Sequence, residues 1–347
     1  MKTENTRGVS RRALLKSIGV SAGAAVAGNL FSIAPAGAGG TQTVVLQLGW
    51  LASNGILGEV AADAQGFFAE EGLALKVVPG GPNVDGVASV ASGRANIGSI
   101  SSSPSLMLAR SQGLPVKCIA AGYQQHPFTY FSLDRNPVRE PKDLIGKKVA
   151  TNGTARILLQ ALLAKNGISE DDVEVLVMGS DMAPLMTGQV DVVTGWKTNT
   201  SALEVLGDAR VDMTLWDAGI RLYANPYYVT DQSLADHPDQ VRGMLRAIAR
   251  GWGWVHDNPE EAVEILVKRY PNLNRENELK TVGMVLDYSF NAETAARGWG
   301  TMTRENWQDQ IDTYDQLGQF EKAAPGLDDV MTLTVLDEIA AARPTYG

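Results

Sequence analysis

The 347-residue chain holds a single cysteine, Cys118, so it can form no internal disulfide. That cysteine sits inside the apolar stretch "PVKCIAAG" and reads as a structural core thiol rather than a reactive nucleophile. Histidine is almost as scarce. His126, His237 and His256 are scattered and give no metal-ligand spacing. No Gly-x-Gly-x-x-Gly follows the first strand pattern, and neither a Walker lysine motif nor a Gly-x-Ser-x-Gly elbow is present. The run "SISSSPS" offers hydroxyls, yet no histidine or lysine is placed to activate them. Catalysis by these routes is excluded, and no cofactor is expected. Positive charge is in deficit as well: 30 Lys and Arg face 39 Asp and Glu. Nucleic-acid binding, which needs Lys and Arg to neutralise phosphates, is not expected. No run beyond the first forty residues is long and apolar enough to span a bilayer.

Those forty residues carry an address. "SRRALLKSIGVSAGAAVAGNLFSIAPAGAGG" has Arg11 and Arg12, a weakly apolar middle, and small residues at Ala34, Ala36 and Ala38. A positive head, a short apolar core and an A-x-A end describe a cleavable export signal over residues 1–38, cut near residues 36–39. Its Ser-Arg-Arg-x-Leu-Leu-Lys core resembles the twin-arginine type, which exports proteins already folded, here to the periplasm. Removing its five basic residues and one acidic residue takes the formal charge from -9 to -13.

Beyond the signal the chain alternates strand and helix. "TVVLQLGW" reads as a strand, "ILGEVAADAQGFFAEEG" as one helix closed by Gly72, and "LALKVVPG" as a strand. A short helix leads to the strand "ANIGSI". "SPSLMLARSQG" then reads as a helix with Ser103 as N-cap, Pro104 in its first turn and Gly113 beyond its end. From Asn136 the scheme restarts, and after His237 it becomes helical, with "DDVMTLTVLDEIAAA" as a last helix. Strands separated by single helices imply parallel pairing and an α/β fold class.

An internal echo links the halves. "VASVASGRANIGSISSSPSLM" and "APLMTGQVDVVTGWKTNTSAL" align Gly93 with Gly188, Asn96 with Asp191, and Ser101–Ser103 with Trp196–Thr198. Ligands of open parallel sheets sit beyond the carboxyl ends of strands, where helix N-termini present free N–H groups. Two such ends facing one another would form a cleft.

The stretches "LGWLASNGILGEVAADAQGFFAEEGLALKVVPGGP", "SVASGRANIGS", "PVREPKDLIGKKVAT" and "GQVDVVTGW" resemble periplasmic solute-binding proteins of ATP-driven (ABC-type) uptake systems. The branch resembled binds thiamine-pyrimidine precursors, aliphatic sulfonates, nitrate and riboflavin. The resemblance implies a two-lobed type II periplasmic-binding-protein fold with two crossover strands and a helical return to lobe one. Mapped here, lobe one is residues 42–128 plus 230–347 and lobe two is residues 129–229, with "HPFTYFSL" and "ANPYYVTD" as crossover strands. It also implies no enzymatic activity, a monomer, and a membrane permease and its ATPase as partners.

The expected ligand contacts are Trp50 and Asn54 after the first strand, Asn83, Ser102 and Ser103, and Gln125 and His126 at the first crossover. In the second half they are Asn152, Thr154, Thr194, Trp196 and Thr198, with Tyr227 on the second crossover. Asn83 and Asn152 are equally candidates for helix caps, and His126 for a satisfied structural histidine. Trp50 and Trp196 would grip a flat ring, one from each lobe. Hydroxyls, amides and few charges suit a neutral or weakly charged nitrogen heterocycle, a thiamine-related pyrimidine first. The alternative is a sulfonate or nitrate, with help from Arg156 or Lys197. The remaining competitors are a pyrimidine-synthase-like enzyme and a sensory binding module.

Overall fold

Ten strands form two five-stranded sheets built to one plan. The computed structural model describes residues 41–347 apart from Pro82, Asn83, Gly153, Thr154 and Ser180. The export signal and the expected contacts Asn83 and Thr154 lie outside the described residues. The first sheet takes β1 (Gln42–Leu48), β2 (Leu73–Val78), β3 (Ile97–Ser99), β4 (Val116–Tyr123) and β10 (Ala224–Thr230) in the order β2-β1-β3-β10-β4. The second takes β5 (Phe128–Leu133), β6 (Lys148–Thr151), β7 (Glu174–Val177), β8 (Val192–Trp196) and β9 (Arg210–Thr214) in the order β7-β6-β8-β5-β9. In each, three parallel strands are followed by an antiparallel one, β10 or β5.

The echo in the sequence is a repeated local device. Gly93 and Gly188 turn the chain with φ of 75° and 74°, a region that favours glycine. Three residues on, Asn96 and Asp191 each bracket one residue of the neighbouring parallel strand. Asn96 N–H donates to the Val45 carbonyl (2.9 Å), and its Oδ1 accepts from Val45 N–H (2.8 Å). Asp191 does the same with Lys148, at 2.9 and 2.8 Å. A short side chain with an acceptor at that point fixes the register of β3 on β1 and of β8 on β6.

Several boundaries differ from expectation. The first helix is broken at Gly66 (φ 78°) into Leu57–Ala64 and Phe67–Glu70. Ser102, not Ser103, caps the helix Ser103–Ser111. The last expected helix breaks at Met331, which bridges to Cys118 beside β4. The two presumed crossover strands each belong to one sheet. Residues 224–229 were expected in lobe two, but β10 is inserted between β3 and β4, where both of its edges are paired. The chain therefore passes between the sheets at Gln124–Pro127 and at residues 215–223.

The C-terminal helices return to the first sheet. Helix Pro238–Asp257 lies on Leu57–Ala64 at backbone distance. A Cβ on Gly251 would stand 2.0 Å from the Gly58 carbonyl, and one on Gly58 would stand 2.2 Å from the Trp252 ring. Trp252 is fully buried and stacks on Trp299 (6.2 Å, 20°), so "GWGW" is helix packing.

Candidate functional site

The carboxyl ends of the two sheets meet. After β1 the chain makes a one-turn helix, Asn54–Ile56, with Ser53 Oγ accepting from Gly55 N–H (3.4 Å). Asn54 is buried there, and its Nδ2 donates to the Thr198 carbonyl in the loop after β8 (3.3 Å). Nearby, Trp196 lies edge-on to His126 (5.5 Å, 70°) and tilted against Tyr123 (6.1 Å, 48°). Asn54, His126, Trp196 and Thr198 are thus brought together, from the first lobe's turn after β1, the first crossing and the end of β8.

His126 is 2% exposed. Its Nδ1 accepts from Phe128 N–H (3.2 Å), which leaves the proton on Nε2. Burial pushes its pKa down to about 3, against a backbone hydrogen bond with Ser101, so the ring is neutral at physiological pH. The Ser102 hydroxyl and the Tyr123 hydroxyl are buried without partners among the described residues. Ser102 does not use its side chain to cap the helix it precedes. Buried polar groups left open cost free energy, and such groups clustered where two sheets meet are what a bound polar molecule would satisfy.

Other expected contacts are committed elsewhere. Tyr227 is fully buried in the first-sheet core, where its OH donates to Glu59 Oε1 (2.8 Å) and its ring lies against Trp299 (5.7 Å). A register shift between Tyr227 and Tyr228 puts Tyr228 in the interior too, its ring filling the space over Gly98. Ser103 is turned into helix packing, its Oγ donating to Gln310 Oε1 (2.5 Å). Thr194 Oγ1 donates to Thr151 Oγ1 (2.8 Å) and ties β8 to β6. Asn152 Oδ1 accepts from the N–H of Ala155, the N-cap residue of the helix Arg156–Lys165 (2.8 Å). Gln125 is half-buried at the crossing. Trp50 is 43% exposed, its carbonyl accepting from Gly80 N–H (2.9 Å).

Three residues join the site without having been read from the sequence. Asn225 opens β10 with φ 48°, the left-handed region that asparagine tolerates better than other non-glycine residues, and its Nδ2 donates to the Gly55 carbonyl (3.4 Å). Its place before Pro226 in "ANPYY" was the available signal. Tyr123 is the aromatic end of β4. Glu278, on the return helix Arg275–Ser289, is 7% exposed, and burial raises its pKa against a hydrogen bond from Asn54. Its Oε2 has no partner among the described residues. Both cations considered for an anion already face carboxylates: Arg156 meets Glu170 (3.3 Å) and Lys197 meets Asp212 (3.7 Å).

A cavity of about 680 Å³ lies beside the second crossing, lined by Gln124, Trp216, Arg221, Tyr223, Gln310 and Tyr314 among others. In its lining Lys165 Nζ donates to the Gly219 carbonyl (2.6 Å) and Arg297 pairs with Glu293 (3.6 Å), while the buried Tyr314 hydroxyl has no partner among the described residues. Among the described residues no group of His, Cys, Asp and Glu could hold a metal ion, and no helix is long and apolar enough to cross a membrane. Cys118 is buried, its pKa pushed up by burial.

The family model described as "NMT1/THI5 like" matches residues 53–262. The chain belongs to the NMT1/THI5 like family. The match begins at the Asn54 turn and runs through both sheets into the helical return. Among similar proteins, the riboflavin-binding protein RibY of Chloroflexus aurantiacus is 31% identical over 215 residues, 59% of this chain and 61% of that protein. The formylaminopyrimidine-binding protein of Halalkalibacterium halodurans is 26% identical over 293 residues, 80% and 87% of the two chains. A 4-amino-5-hydroxymethyl-2-methylpyrimidine phosphate synthase of Schizosaccharomyces pombe is 26% identical over 228 residues, 60% and 64%. The NMT1/THI5 like chain thus spans less than two thirds of RibY and of the synthase. In structure it is similar to the periplasmic aliphatic sulphonate binding protein SsuA of Escherichia coli (TM-score 0.62, 16% identity, 83% of this chain and 91% of that one). The fold is the two-lobed periplasmic-binding-protein fold, each sheet the centre of one α/β lobe.

Proposed function

We propose that this NMT1/THI5 like protein is the exported solute-binding component of an ATP-driven importer, and that it captures a small nitrogen heterocycle by closing two lobes about a hinge. The observation that carries the reading is the Asn54–Thr198 hydrogen bond across the lobes, beside the rings of Trp196 and His126. In this reading lobe one is the first sheet with the C-terminal helices, lobe two is the second sheet, and residues 1–38 direct export to the periplasm. Open and closed forms exchange, and a solute that contacts both lobes only when closed shifts the population. A permease and its ATPase then receive the closed form, and no covalent step is needed.

The ring of Trp196, the neutral His126 N–H and the Ser102 hydroxyl suit a flat, uncharged or weakly basic guest. Glu278 beside Asn54 is a carboxyl that burial pushes toward its neutral form, and it offers an anion no positive charge. Two of the similar proteins are named for riboflavin and a formylaminopyrimidine, both nitrogen heterocycles. The second reading, a sulfonate or nitrate, has in its favour the fold shared with SsuA and the helix N-terminus at Ser103. The two cations considered for it, Arg156 and Lys197, each face a carboxylate. A synthase reading rests on the relative of that name.

Thermal-shift titration with riboflavin, a formylaminopyrimidine, an alkanesulfonate and nitrate tests the reading, because a ligand of the folded state raises stability in proportion to RT ln(1 + [L]/Kd). A shift with a heterocycle, abolished in Trp196→Ala and retained in Trp252→Ala after correction for its lower stability, is expected. A shift with the sulfonate alone would replace the first reading with the second.

A further inference from the structure

The helix Arg275–Ser289 belongs by position to the C-terminal return, and it packs on helix Pro259–Arg269, on β4 and on the turn Asn54–Ile56. It also reaches the short helix Thr200–Leu203, which follows β8 in the other lobe. Three sets of polar contacts cross there. Asn277 Nδ2 donates to Ser201 Oγ (2.9 Å). The Thr281 hydroxyl meets the Thr200 hydroxyl. Thr281 Oγ1 already donates its proton to the Asn277 carbonyl (2.7 Å), so toward Thr200 it accepts. Lys280 adds an ion pair to Glu204 at 4.0 Å. Positions 277, 280 and 281 lie within one helical turn and share a face.

These contacts join lobe to lobe, and Asn277, Thr281, Thr200 and Ser201 are not among the groups gathered around Trp196 and His126. None survives a parting of the lobes. We propose that the helix Arg275–Ser289 is a clasp: its Asn277, Lys280 and Thr281 hold the closed form through protein–protein hydrogen bonds and an ion pair, so the closing equilibrium is set partly outside the solute site. The clasp rests on the hinge of the proposed function and holds for any solute. It makes the apparent affinity adjustable without touching the solute contacts, since apparent affinity scales with the fraction of competent form.

The test measures interlobe distance in solute-free full-length mature protein. Spin labels at Lys76→Cys and Asp171→Cys, exposed positions in opposite lobes, report the opening by pulsed electron resonance; the buried Cys118 stays unlabelled. In Asn277→Ala/Thr281→Val the ratio of closed to open form falls by about fivefold for each hydrogen bond removed. Arg275→Ala, on the same helix but paired with Glu264 of its own lobe, leaves the distances unchanged. Ser201→Trp, at an exposed position, wedges the two surfaces apart. If the wedge lengthens the distance and the double variant does not, the hinge stands and the clasp is overturned. If neither moves it, the hinge itself is refuted. An equal shift in Arg275→Ala also overturns the clasp.

Discussion

Replacing Glu59 with glutamine should flatten the pH dependence of stability. Glu59 is fully buried on helix Leu57–Ala64, behind the cleft wall. Its Oε1 accepts from Tyr227 OH (2.8 Å), whose oxygen in turn accepts from Trp252 Nε1 (3.3 Å), and its Oε2 has no partner among the described residues. Burial raises its pKa from 4.5 to about 7, with the Tyr227 bond opposing. Below pH 4.5 the folded and unfolded chains both hold the proton, and the group contributes no pH dependence. Between 4.5 and about 7 the unfolded chain releases a proton that the folded chain keeps, so stability falls as pH rises. Above about 7 both are ionised and the loss is complete, at about 3 kcal/mol. Most of this lies between pH 5 and pH 8. Glutamine keeps the acceptor for Tyr227 and does not titrate. Urea unfolding at pH 5 and pH 8, followed by tryptophan fluorescence, should therefore show the parent losing about 2–3 kcal/mol more than Glu59→Gln over that interval. Parallel profiles for the two proteins would refute a raised Glu59.

Gly251→Ala should destabilise the first lobe by about 1–3 kcal/mol, because the new methyl meets the Gly58 carbonyl and the Ala62 side chain where two helix backbones touch; a thermal melt reads it. Cys118, buried on β4 against Met302, should react with a thiol reagent only as fast as the fold opens, so added urea below the midpoint accelerates labelling; full labelling within seconds in buffer would contradict its burial.

Much of the fold can be read because its signals are local. Gly93 with Asn96, and Gly188 with Asp191, carry turn and register within four residues, and spacing alone aligns them. Trp196 ends β8 and Asn54 opens the turn that follows β1, so their place at the sheet edge is legible. Orientation is not. Tyr227 looks available in the sequence, but a register shift and two paired edges turn it inward. Ser103 and Ser102 are adjacent, and only the helix start decides which hydroxyl packs against Gln310. Glu278 and Asn225 reach the site through contacts with the Asn54 turn, more than a hundred residues away in the chain. Periodicity cannot report such pairings, and Glu278 in "ENELKTV" reads as an ordinary solvent-facing acid.

The insertion of β10 between β3 and β4 has a consequence for synthesis on the ribosome. The lobe-two sheet is contiguous, from Phe128 to Thr214, and every strand it needs has emerged once Thr214 has. The earlier-made sheet cannot be finished then, because β4 has β10 as its one strand partner, and its far edge is covered only by Gly300 and Met331. The half translated first is thus completed last. A chain stalled before residue 224 would display β4 as an open edge ready to pair with another nascent copy.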